Sequence, residues 1–105
     1  MHYIFEVHIK PGYSAEEYAA SWVEVSQHIQ QAQGAQGTRL HRKIGDPNVL
    51  LAIATWESKS ARDAMESSPP AIVNELIKRQ IPYVDIRLIG EFDAPEWVVL
   101  PPEQA

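Results

Sequence analysis

Residues His2 to Lys10 alternate strictly. Tyr3, Phe5, Val7 and Ile9 fall on one side of an extended chain, and His2, Ile4, Glu6 and His8 on the other. This contrast at period two is the pattern of a half-buried strand, which must find partners on both edges and a cover for its apolar side. Pro11-Gly12 ends the strand. Ser14 then stands three residues before Glu17, the spacing of a capping box. Tyr18, Trp22, Val25 and Ile29 follow at steps of four, three and four, so the period changes to that of a helix. Ala15 and Ala32 extend the stripe, and Gly34 is placed to end it.

The alternation returns at Thr38–Ile44, where Thr38, Leu40, Arg42 and Ile44 share one face and Arg39, His41 and Lys43 the other. So polar a strand belongs at a sheet edge. Gly45-Asp46-Pro47-Asn48 reads as a turn. Val49–Glu57 is nearly all apolar at its start, which predicts a central strand buried on both faces. Ser58 or Ser60 is placed to cap a helix with a small apolar side formed by Ala61, Ala64 and Met65. Pro69-Pro70 re-aims the chain, with Ser68 as the expected cap of a new start. Ile72, Val73, Leu76 and Ile77 form another stripe. Tyr83–Phe92 is the last strand, with Val84, Ile86, Leu88 and Phe92 on one face and Tyr83, Asp85, Arg87, Ile89 and Glu91 on the other. Two βαβ halves with right-handed crossovers put the helices on one face of a single sheet. The same rule suggests that the first and third strands are central and parallel.

At 105 residues the chain makes one domain, expected over 1–92, followed by a tail over 93–105. The 14 acidic residues outnumber the 9 basic ones, for a net charge of -5, which argues against nucleic acid as a partner. There is no cysteine, hence no disulfide and no thiolate nucleophile. No apolar run approaches the ~20 residues a membrane helix needs. A soluble, cytoplasmic protein without membrane partners is expected. Glycine-rich phosphate loops and nucleophile elbows are also missing, which removes support for nucleotide binding and serine hydrolysis.

The sheet face away from the helices would carry Ile4, Glu6, His8, Asp85, Arg87 and Ile89 with large aliphatics of the third strand. That mixture is too polar for a dry core and too apolar for plain solvent. A second copy packed on it, as a twofold homodimer, is the simplest closed solution. Across that partly wet interface Glu6 with Arg87, or Asp85 with Arg42, are candidate ion pairs. The apolar run Trp97-Val98-Val99-Leu100 in the tail is expected to lie over a neighbouring subunit, to close a pocket mouth, or to hook onto its own domain.

Four stretches carry a resemblance: the first strand ending in Pro11-Gly12, Trp22 on the first helix, Gly37-Thr38-Arg39-Leu40-His41-Arg42, and Leu51-Ala52-Ile53-Ala54-Thr55-Trp56-Glu57-Ser58-Lys59-Ser60-Ala61. Over roughly residues 2–92 the chain resembles the antibiotic-biosynthesis-monooxygenase-like domains of the dimeric α+β barrel superfamily. The resemblance implies an α+β, ferredoxin-like βαββαβ sandwich with an antiparallel sheet, paired into a dimeric α/β barrel, with a pocket between helices and sheet. It also implies a cofactor-independent monooxygenase acting on a small aromatic or polyketide-like substrate. The alternatives are a non-catalytic dimer that binds a small hydrophobic molecule or another protein, and an isomerase or cyclase using acid–base chemistry. The chain departs from the haem-degrading branch, whose asparagine position holds Glu6-Val7 and whose ligating histidine has no counterpart in 70–78.

Within that reading His8, Trp56 and Arg42 are the candidate catalytic residues: His8 as a base, Trp56 to stack on a planar ring or aid electron transfer, and Arg42 to favour an anion. Arg39 and Arg87 are the other candidates for holding an anion. Tyr18, Trp22, Phe5, Met65, Asn74 and Ile77 are the expected substrate pocket. No cofactor and no metal are expected. His2 and His8 lie roughly 20 Å apart along one strand and cannot chelate one ion.

Overall fold

The alternating segments do pair into one sheet, and the helical stripes cover one side of it. The computed structural model describes residues 1–103, so the last two residues of the expected tail lie outside the described residues. The elements run β1 (His2–Ile9), α1 (Ala15–Ile29), β2 (Ala35–Lys43), β3 (Asp46–Trp56), α2 (Lys59–Ser67), α3 (Ala71–Gln80) and β4 (Val84–Phe92), with a 3₁₀ turn over Ile81–Tyr83 leading into β4. The sheet order is β2-β3-β1-β4. This is the α+β, ferredoxin-like βαββαβ sandwich. β1 and β3 are central, but they are antiparallel to each other, as is every neighbouring pair. The expectation of a parallel central pair fails because β3 returns by a hairpin from β2 and slots in beside β1 with its direction reversed.

Val7, Leu50 and Val84 from the sheet meet Ala15 and Tyr18 of α1 in one core cluster. Val73 and Leu76 of α3 pack against Val25 of α1 in a second. Ile72 and Ile77 of the expected stripe remain partly exposed on either side of it. On β3, Leu50, Ala52 and Trp56 are buried against the helices, whereas Leu51 and Ile53 on the other side are only half-buried.

Local chemistry accounts for the ends. Ser14 Oγ accepts from the Glu17 backbone N–H at 3.1 Å and donates to Glu17 Oε1, so half of the capping box forms. Ser58, rather than Ser60, caps α2, accepting from the Ala61 N–H at 3.1 Å. Ser68 follows the end of α2, and Pro70 takes the N-cap position of α3 without a side-chain bond. α1 stops at Ile29, short of the full stripe. Gln31 and Ala32 donate back to the carbonyls of His28 and Ile29 in a tightened last turn, and Gly34 turns the chain at φ +87°.

Three registers differ from simple alternation. The β2–β3 turn is Ile44-Gly45, so Asp46-Pro47-Asn48 belong to β3 and Ile44 stands 99% exposed at the hairpin tip. In β4 a bulge interrupts pairing with β1, where Ile4 faces Gly90 but Phe5 faces Leu88. The extra residue swaps faces: Glu91 comes opposite Tyr3 on the helix side, and Phe92 opposite His2 on the open side. A third irregularity lies at Gln36-Gly37 in β2.

The open face carries Ile4, Glu6 and His8 of β1, Leu51 and Ile53 of β3, Arg39 and His41 of β2, and Asp85, Arg87 and Phe92 of β4. The candidate ion pairs do not form within the chain. Glu6 instead bonds His8 Nε2, and Asp85 lies 3.8 Å from Lys10. Arg42 is on the helix face opposite Leu50 and binds Glu16 of α1 at 2.8 Å. The tail does not hook onto its own domain: Trp97 is 87% and Val99 97% exposed. Among the described residues no helix is long and apolar enough to cross a membrane.

Candidate functional site

The helix face of the sheet is uneven. Ala54 stands opposite both Tyr3 and Thr38, and Ala52 opposite both Phe5 and Leu40. Ala52 is fully buried, whereas the short side chain of Ala54 leaves room that the helices above do not fill. The result is a cavity of about 410 Å³, in the size range of small-molecule sites. Its floor is Tyr3, Phe5, Ala54, Trp56, Thr38 and Ile86. One wall is α1, through Tyr18, Trp22, Val25, Ser26, Ile29 and Gln30, positions that share one helical face. The other wall is α2 and α3, through Arg62, Met65, Glu66, Val73, Asn74, Ile77 and Gln80. A more open depression of about 700 Å³ lies on the far side of α2 against Ala32 and Gln33, and no aromatic side chain lines it.

The expected pocket residues Phe5, Tyr18, Trp22, Met65, Asn74 and Ile77 all border the cavity, and so does Trp56. His8 and Arg42 do not border it. Strand alternation turns His8 to the open face, where Glu6 holds it. Arg42 points to the helix side but is drawn to Glu16 at the edge, and that contact holds the Glu16 carboxyl below its ordinary range. Arg39 and Arg87 lie on the open face. Arg62 is the cationic side chain that does border the cavity. The pattern offered one signal for it: Arg62, Met65, Glu66 and Pro69 recur at the spacing of a single helical face, and Met65 was already expected there. For Tyr3 the signal was its alternation with Phe5.

The site is apolar with a few placed polar groups. Tyr3 and Phe5 lie with ring centroids 6.0 Å apart. The Arg62 guanidinium sits 3.7 Å from the Tyr3 ring centroid and pairs with Glu66 Oε2 at 2.6 Å. Burial pushes the Tyr18 hydroxyl well above the ordinary tyrosine range, so near neutrality it is a donor. Gln80 Nε2 donates to Ser21 Oγ at 3.0 Å, and Gln30 Oε1 accepts from the Gly37 N–H at 2.7 Å. These bonds hold the two glutamines against the protein. Among the described residues no three acidic or histidine side chains converge as a metal site.

The sequence model for antibiotic biosynthesis monooxygenases matches residues 1–71. The chain belongs to that family. The match spans β1 to α2, which supply the floor of the cavity apart from Ile86 and the walls built on α1 and α2. No curated protein matches the chain in sequence. Among solved structures, a point-mutant form of SnoaB, a cofactor-independent oxygenase from Streptomyces nogalater, superposes with a TM-score of 0.80 at 14% identity, covering 92% of this chain and 94% of that one. A candidate antibiotic biosynthesis monooxygenase from Deinococcus radiodurans gives 0.72 at 14% identity, over 97% and 100% of the two chains. One from Bordetella bronchiseptica gives 0.71 at 20% identity, over 90% and 96%. At these identities the likeness is one of fold, and its coverage extends beyond the 1–71 match.

Proposed function

We propose that the cavity binds a small aromatic or polyketide-like molecule and that the protein oxidises it with dioxygen as a cofactor-independent monooxygenase. The observation that carries this reading is the cavity itself, floored by Tyr3, Phe5 and Trp56 and walled by Tyr18 and Trp22, in a chain of this family. Phe5, Trp22 and Trp56 hold the ring plane. The Tyr18 hydroxyl and the Asn74 amide meet oxygens on the ring system, and Met65 and Ile77 keep water away. The reaction begins with loss of a proton from an activated CH₂ or phenol. The anion passes one electron to dioxygen, and the substrate radical and superoxide combine as a peroxide. Loss of water leaves a carbonyl where the CH₂ stood: one atom of dioxygen is retained and the other leaves as water. His8 and Arg42 take no step, because neither borders the cavity.

An oxygen electrode tests this with an enolisable fused-ring ketone and metal-free, flavin-free protein. Uptake that depends on both protein and substrate, with label from dioxygen in the product, is the expected result. Binding without uptake would leave a carrier. Product formed without oxygen would identify an isomerase or cyclase.

The assembly belongs to the same proposal. The open face sets Ile4, Leu51, Ile53 and Phe92 among Glu6, Arg39, Asp85 and Arg87, and a second copy related by a twofold axis offers the same mixture in return. The exposed tail run Trp97–Leu100 would then lie on the partner subunit. Light scattering is expected to give a dimer that Ile53→Glu converts to monomer. A wild-type monomer at micromolar concentration would defeat the assembly.

A further inference from the structure

We infer that the cavity contains an anion-recognition point at Arg62, so that the ligand is bound as a planar aromatic anion, a carboxylate, phenolate or enolate. The inference deepens the proposed function and rests on it for the identity of the cavity.

Three features of Arg62 carry it. Its side chain is only 11% exposed and borders the cavity, so its charge is spent inside the site rather than in bulk water. Its guanidinium carbon sits over the Tyr3 ring, 3.7 Å from the centroid, a contact that anchors the group beside the cavity floor. Its partner Glu66 also borders the cavity, but the Glu66 side chain is 60% exposed against 11% for Arg62. The other nearby carboxylate, Asp63, is 4.0 Å away and is taken by Lys59 at 3.0 Å. Guanidinium carries five N–H donors, and a single carboxylate cannot use them all. An incoming oxyanion therefore finds free donors beside the Tyr3 ring, with Glu66 sharing Arg62 or turning its exposed side chain outward to admit it. The aromatic floor beside it is where the ring of the same ligand lies. For an enolisable substrate the buried positive charge also favours the deprotonated form from which electron transfer to dioxygen starts.

The test uses two probes of one shape, 2-naphthoate and 2-naphthamide, titrated calorimetrically into the intact protein near neutral pH. Wild-type protein is expected to bind the naphthoate about tenfold more tightly, the scale of one charge-assisted contact. Arg62→Gln should erase that preference while leaving naphthamide affinity within about twofold, and Arg62→Lys should restore part of it. Glu66→Gln should tighten naphthoate severalfold in the wild-type background and by less in Arg62→Gln, the difference being the share that runs through Arg62. Equal affinity for the two probes in wild type, or equal loss of both in Arg62→Gln, would overturn the anion inference and leave the cavity reading standing. If neither probe binds, or if Trp22→Ala alters the binding of neither, the cavity reading fails and takes this inference with it.

Discussion

Replacing Gly34 by alanine is expected to be among the most damaging single-methyl changes in the chain. Two separate costs meet there. Gly34 sits at φ +87°, in the left-handed region, where an L side chain costs about 1–2 kcal/mol. A Cβ at this position would also stand 2.5 Å from the Ala61 Cβ on α2, where nothing flexible can give way. Relieving that contact moves α2 off the sheet, an overpacking cost of about 1–3 kcal/mol. The position is further held because the Gly34 carbonyl accepts from the Glu57 N–H at 2.7 Å, at the junction of β3 and α2. The total is about 2–5 kcal/mol, a large share of the stability of a domain of this size. Gly12→Ala separates the two terms: φ is +89° there, but nothing lies within 4 Å of the added methyl, so only the backbone cost applies. Urea unfolding followed by circular dichroism gives both values, provided the slope with denaturant is unchanged. Adding Ala61→Gly to Gly34→Ala should recover the contact part, less the ~1 kcal/mol that glycine costs in a helix. If Gly34→Ala costs no more than Gly12→Ala, the close approach of the turn to α2 is refuted. The cavity wall built on Arg62 and Met65 would then rest on another contact.

Trp56→Ala should cost about 3–5 kcal/mol, because the ring is 2% exposed and nothing nearby can fill its place; thermal unfolding reports it. Stability should fall as pH rises above about 10, the ordinary tyrosine value, because burial raises the Tyr18 pKa in the folded state and only the unfolded chain releases that proton in this window. Tyr18→Phe should flatten this fall relative to wild type, and parallel alkaline curves would count against burial as the cause. Ser14→Ala should cost about 1 kcal/mol through loss of the α1 cap, measured by urea midpoint.

Most of the element list could be read from periodicity because each element buries one face. A strand with Tyr3, Phe5, Val7 and Ile9 on one side cannot present them to a core in any other conformation. The capping serines Ser14 and Ser58 mark helix starts for a similarly local reason, since a hydroxyl at that position satisfies an amide the helix leaves free. The pocket residues on α1 were visible for the same reason. An inward stripe that includes Tyr18 and Trp22 either fills a core or lines a gap, and one helix face serves for both. What periodicity misread was non-local. The bulge that exchanges Phe92 and Glu91 depends on pairing with β1, so β4 by itself shows simple alternation. The antiparallel centre of the sheet depends on where the β2–β3 hairpin inserts.

The functional charges show the same division. His8 and Arg42 are the sort of residue that chemistry needs; alternation already set His8 on the face away from the helices, while nothing in the spacing of Arg42 shows that Glu16 holds it at the sheet edge. Arg62 lies in an outwardly polar helix of balanced charge and looks solvated until the sheet beneath it is known. The chain alone determined its strands, helices and family character, because burial period and caps act between near neighbours. Tertiary structure decided that a cavity opens over Ala54 and that Arg62 and not Arg42 turns into it. Those outcomes depend on which distant side chains meet across the sheet, and no local period encodes them.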